Sequence, residues 1–253
     1  MQMGDIMTGR FKFAAPLLAM LAIFCALAIP RAANAAVIAD AKADFSSTQG
    51  TNGWYYGYVE PSTSADFNQL ATYSSVSFVG GDPMGWHEQE PYYSNPGVWT
   101  TAYLANDTLY IAPNGVNGNF GRSTIEQWVV VRWISTVTGN VNLAGAFGSP
   151  LGQGGNFADA LIQQNGATLF QTGPGSTLST YSFNLDRAVE IGDMIDFIVK
   201  PTNPDTNDSV PLAALISTDS VPEPASWAMM LGGFVLVGGS LRRANPARRP
   251  ARA

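Results

Sequence analysis

Three groups of side chains in this sequence are of types that do chemistry. The only histidine, His87, is followed by Glu88 and Glu90. Imidazole titrates near neutrality, so this trio can ligate a metal or move a proton. It can equally be a structural histidine with its hydrogen bonds satisfied. The second group is aromatic: Trp54, Tyr55, Tyr56 and Tyr58 form one run, and Trp86, Tyr92 and Tyr93 lie in another, among Gly and Pro. Flat rings with polar tips stack on the C–H faces of sugars, and Trp54, Tyr56, Trp86 and Tyr92 are the candidates for such a platform. Strand alternation puts Trp54, Tyr56 and Tyr58 on one face and Tyr55 on the other, so part of this set must be core. The third group is acidic. Asp193, Asp196 and Asp208, with Asp205, flank the last two expected strands, and their oxygens are of the kind calcium prefers. A structural calcium ion is the one cofactor the sequence admits, against ordinary turn and capping roles for the same residues. Glycoside hydrolysis needs two carboxyls at a set separation, but no spacing selects a pair from Glu88, Glu90 and Glu126. Gly-x-Ser-x-Gly is absent. No residue is assigned a catalytic role.

Composition narrows the classes. The 253 residues carry 13 Lys and Arg against 19 Asp and Glu, a formal charge of −6, and 46% are apolar. That much apolar content argues for a folded chain. The sign of the charge and the lack of a basic patch among aromatics argue against nucleic acid as partner. One Cys and one His cannot hold a structural zinc. The basic residues gather at the two ends. Arg10 and Lys12 precede an uncharged apolar run from Phe13 to Ile29. Pro30 then breaks any helix, and Ala33-Asn34-Ala35 offers small residues to a signal peptidase. Residues 1–35 therefore read as a signal peptide, whose removal takes Cys25 with it and leaves no thiol for a disulfide. At the other end Val221-Pro222-Glu223-Pro224 leads into the apolar run Ala225 to Leu241, then Arg242, Arg243, Arg248 and Arg249. Seventeen helical residues span about 25 Å, close to a bilayer core. The arginines place the C-terminus in the cytoplasm and the preceding domain outside.

The order of these C-terminal parts resembles the PEP-CTERM sorting signal of Gram-negative bacteria, over about the last 33 residues. The resemblance implies that an exosortase-type membrane peptidase recognises Pro222, Glu223 and Pro224. It implies an inner-membrane-anchored precursor, then a cell-surface or extracellular product exported alongside polysaccharide. Residues 220–253 are read accordingly as a sorting and anchor segment.

Between the two ends, residues 36–219 hold five basic residues against 17 acidic, a net of −12. Their pattern is β. From Thr124 to Ile134, Ile125, Val129, Val131 and Trp133 share one face, with Glu126 and Arg132 on the other. Tyr181, Phe183 and Leu185 alternate, as do Ile195, Phe197 and Val199, and Leu212, Ala214 and Ile216. Leu161 to Phe170 reads as a hairpin turned by Asn165-Gly166, and Gly192-Asp193 turns the chain into its next strand. The expectation is an all-β fold, an antiparallel β-sandwich of jelly-roll type, with residues 40–120 supplying edge strands and long loops. The succession Asp44-Phe45-Ser46, Trp54-Tyr55-Tyr56, Val130-Val131-Arg132-Trp133, Gly192-Asp193-Met194-Ile195-Asp196-Phe197, Asn207-Asp208-Ser209 resembles bacterial extracellular sandwich modules, including those beside carbohydrate-active domains. Together these features point to a surface protein whose outer domain binds or organises exopolysaccharide without catalysis. A purely structural surface protein is the alternative, and a polysaccharide hydrolase the third reading.

Overall fold

Period-two alternation with large apolar residues on one side makes a strand bury one face, and many of the fourteen strands among the described residues do so. The structure, a computed structural model, describes residues 35–62, 64–76, 83–88, 100–116, 125–149, 159–173, 179–201, 209–218, 230–235 and 238. In chain order the first strands are β1 (Ala36–Asp40), β2 (Trp54–Glu60), β3 (Ser64–Gln69), β4 (Thr72–Ser75) and β5 (Met84–His87). Next come β6 (Thr101–Ala105), β7 (Thr108–Ala112), β8 (Trp128–Ile134) and β9 (Gly139–Phe147). The last are β10 (Asp159–Gln164), β11 (Ala167–Gln171), β12 (Tyr181–Val189), β13 (Met194–Lys200) and β14 (Val210–Thr218).

Every pairing is antiparallel. One sheet runs β12-β9-β14-β7-β6-β5-β4, with β1 also beside β14; the other runs β11-β10-β13-β8-β2-β3. From β7 onward the chain passes back and forth between the two sheets. One core lies between them: Trp54, Tyr56, Trp133 and Phe197 from one sheet meet Trp86, Leu143, Phe147 and Phe183 from the other. Rings cross the gap, with Tyr56 stacked on Trp86 at 6.4 Å and Phe183 against Phe197 at 5.7 Å. Residues 35–219 make up one compact unit. Its core is built from its own residues, which is what a chain needs to fold alone.

The first part of this unit supplies the expected edge strands β3 and β4, but it also supplies interior ones. β2 lies inside its sheet between β8 and β3, and β6 and β7 lie inside theirs. β2 turns Trp54, Tyr56 and Tyr58 inward, where all three are buried. The strand expected from Thr124 begins at Trp128, because Gln127 is drawn off to bridge Asn114. Val130 is also buried, against Leu161 and Ile198, so the outer face of the six-stranded sheet carries a small second cluster. Arg132 closes it on one side, with a bidentate bond to Asp196 at 2.7 and 2.8 Å and its guanidinium 4.1 Å above the Phe67 ring. Lys200 closes it on the other, 4.5 Å above the Trp128 ring.

The ends of the chain form a separate unit, residues 1–34 and 220–253. Within it Met230–Val235 is helical and exposed. Among the described residues no helix is long and apolar enough to cross a membrane. The remainder of the expected anchor, the signal peptide up to Asn34, and Pro222, Glu223 and Pro224 lie outside the described residues.

Candidate functional site

The two ends of the unit differ. Four turns at one end have two or four residues, between β6 and β7, β8 and β9, β10 and β11, and β12 and β13. Asn106 and Asp107 (φ 48° and 59°) and Asn165 and Gly166 (φ 49° and 83°) form the two-residue turns, with the left-handed pairs that type I′ geometry requires. At the opposite end lie the strand ends that bound the connections 88–100, 113–127, 148–158, 172–180 and 201–209, of 13, 15, 11, 9 and 9 residues. Strand register places their roots together: His87 is opposite Thr101, Thr101 opposite Ala112, Val210 opposite Ile111, Leu212 opposite Phe147, and Asp159 opposite Lys200.

A polar cluster sits under these roots. Tyr58 and Glu60 continue the inward face of β2, Glu88 follows Trp86 at the inward parity of β5, and Gln127 precedes Val129 at the inward parity of β8. The Tyr58 hydroxyl donates to Glu88 Oε1 at 3.0 Å, and the Gln127 amide donates to Glu60 Oε1 at 2.8 Å and Glu88 Oε2 at 3.1 Å. Thr100 donates to Gln127 Oε1 at 2.6 Å, while Asn114 exchanges backbone hydrogen bonds with Gln127. Gln127, Asn114, Thr100 and Tyr58 are buried, whereas both glutamates are half-buried. Two carboxylates thus stand on a buried floor of neutral donors. Burial pushes the Tyr58 phenol well above its usual range, and the charge of Glu88, its hydrogen bond and the charge of Glu60 push it further. Tyr58 therefore remains a protonated donor at any physiological pH.

The sugar-stacking residues are placed differently from the expectation. Trp54, Tyr56 and Trp86 face the core at 0%, 1% and 6% exposure, so these three rings form no surface platform. The inward parity that suits them for stacking on a ligand suits them better for stacking on each other. Tyr92 lies outside the described residues, in the segment 88–100. The acidic trio does not converge either. Asp193 sits in a short turn, accepting from the Glu190 backbone N–H at 2.9 Å and Asn165 Nδ2 at 2.9 Å, which hold its carboxyl below the usual range. Asp196 is taken by Arg132. Asp208 lies outside the described residues. Asp193 and Asp196 are thus each engaged by other partners. Among the described residues no group of three His, Cys, Asp or Glu is placed to hold a metal. His87 is buried, with Nε2 2.8 Å from Ser74 Oγ, and points away from Glu88 as adjacent strand residues must.

Glu60 and Gln127 belong to none of the groups singled out from the sequence. The signal that finds them is a polar side chain at the inward parity of a strand's last position or of the residue just before its first.

No family model matches this chain, and no curated protein matches it. Solved structures do. A β-glucosidase from Kluyveromyces marxianus is similar over 76% of this chain at 8% identity and TM-score 0.31; this chain spans 19% of that one. A family 35 carbohydrate binding module from an environmental isolate is similar over 66% of this chain and 96% of its own, at 12% identity and TM-score 0.27. Tandem CBM51 modules of the family 98 glycoside hydrolase from Streptococcus pneumoniae are similar over 64% and 47%, at 10% identity and TM-score 0.30. At these TM-scores the likenesses carry no argument about what this chain does. Its own strands define it as a two-sheet antiparallel β protein.

Proposed function

We propose that the protein is exported through its signal peptide, sorted by an exosortase-type peptidase at Pro222, Glu223 and Pro224, and placed at the cell surface or beyond. There its body, of jelly-roll type, binds exopolysaccharide without turning it over. The observation that supports this reading is the cluster of Tyr58, Glu60, Glu88 and Gln127 beneath the long connections. Sugar hydroxyls both donate and accept, and a site for them sets carboxylate acceptors beside amide and hydroxyl donors on a rigid floor. The sequence of the connection 88–100, which leaves from Glu88, includes Tyr92, Tyr93 and Trp99.

The test is retention of residues 36–219 on insoluble glucans, galactans and native matrix. Wild type is retained, and Glu88→Gln weakens retention about tenfold, the scale of one charge-assisted hydrogen bond. Retention on none of these polymers overturns the reading and leaves a purely structural surface protein.

A polysaccharide hydrolase is the second reading, and one observation favours it. Glu60 and Glu88 approach the same amide nitrogen, so those two oxygens are no more than about 6 Å apart, within the span used by paired glycosidase carboxyls. Release of reducing ends by wild type, lost in Glu88→Gln, would establish that reading in place of simple binding.

A further inference from the structure

A sheet edge is a row of unpaired backbone groups, and proteins blunt such edges to avoid pairing with other chains. Most edges here are blunted. β4 has four residues, β3 and β11 pair with register shifts, and β1 carries a bulge between Val37 and Ala39. β12 is different: it keeps register with β9 from Tyr181 opposite Phe147 to Val189 opposite Gly139, nine residues without a shift. We propose that β12 is the seat of a two-fold dimer, in which it pairs antiparallel with β12 of a second copy of this chain.

The directions of the backbone groups set the register. Gly148 donates to the Pro211 carbonyl, which puts the odd positions of β14 toward β9. The register of β14 with β9, and of β9 with β12, then puts the odd positions of β12 toward β9. The even positions face outward, and the Ala188 carbonyl confirms the parity by accepting from Gln164 at the open side. Ser182, Asn184 and Asp186 therefore present N–H and C=O groups to a further strand. A two-fold axis through Leu185 sets Asn184 opposite the partner's Asp186, and Asp186 opposite the partner's Asn184. Both are outward-facing pairs that bond backbone to backbone.

The side chains suit that register. Asn142 already donates to Asn184 Oδ1 at 2.6 Å and to Asp186 Oδ1 at 2.7 Å, so these two side chains are held on one face. Across the axis an amide meets a carboxylate twice, and no like charges stand opposite. The same patch meets itself, so the contact closes at two copies instead of growing into a fibre.

The test is the mass of residues 36–219 in light scattering behind size exclusion. Wild type is expected at twice the chain mass. Asn184→Asp keeps the acceptor for Asn142 but sets two carboxylates opposite each other, and is expected at the single-chain mass. Adding Asp186→Asn restores an amide–carboxylate pair and the doubled mass. Wild type at the single-chain mass, or Asn184→Asp still at the doubled mass, overturns the proposal. Should Asn184→Asp fail to fold, amide exchange in the wild type decides. Slow exchange at Ser182, Asn184 and Asp186 supports the pairing, and fast exchange there beside slow exchange at Phe183 and Leu185 refutes it.

Discussion

At the level of single residues, burial decides which groups hold the fold and which remain for a ligand. Arg132 and Asp196 make the tightest ion pair of the described residues, with side-chain exposures of 17% and 8%. Removing one partner strands the other in a half-dry site, so Arg132→Ala should lower the unfolding free energy by about 3 kcal/mol in urea titrations. Tyr103 acts through pH. Burial pushes its phenol from 10.0 up to about 12, against an opposing pull from a hydrogen bond with Ser209. The unfolded chain releases that proton near pH 10, so the stability tied to Tyr103 is complete below pH 10 and is lost as pH rises through 12. Unfolding midpoints between these limits should fall less steeply for Tyr103→Phe than for wild type. The Glu88 site was legible only in part. Glu88 drew notice for its neighbour His87, from which it points away. Its real partners, Tyr58 and Gln127, are 30 and 39 positions distant in sequence. Contacts of that kind depend on register between strands, which a one-dimensional pattern does not carry.

Among the strands and turns, local chemistry was far more readable. Alternation identified the inward faces of β8, β12, β13 and β14, and Asn165-Gly166 marked its hairpin because few residue pairs accept two left-handed conformations. Asn106-Asp107 does the same work between β6 and β7. In sequence it reads no more strongly as a turn than as a polar stretch, since Asp lacks the freedom of Gly. The place of β2 was hidden, because alternation shows which face is buried and not how many neighbours a strand has. Two glycines separate conformation from crowding. Gly166 (φ 83°) has open space around it, whereas a Cβ on Gly53 (φ 86°) would lie 2.6 Å from the Ile134 carbonyl. Gly166→Ala should cost about 1 kcal/mol, the backbone penalty alone. Gly53→Ala should lower the thermal midpoint distinctly more, and equal midpoints for the two variants would argue that the 41–53 segment yields freely.

For the molecule as a whole, the fold class was the most secure inference from sequence, because several strands repeat one physical rule. The pole that carries the polar cluster was not foreseen, since it depends on how strand lengths and connections accumulate along both sheets. Ala36 is paired with Thr218, so the first and last strands of the unit finish side by side at the pole of short turns. Anything joined to either terminus, whether a tag, a linker or a sensor surface, is thus attached at the same corner. The glutamate-bearing cluster lies at the other pole of the same unit, about one nine-residue strand, roughly 30 Å, from that corner.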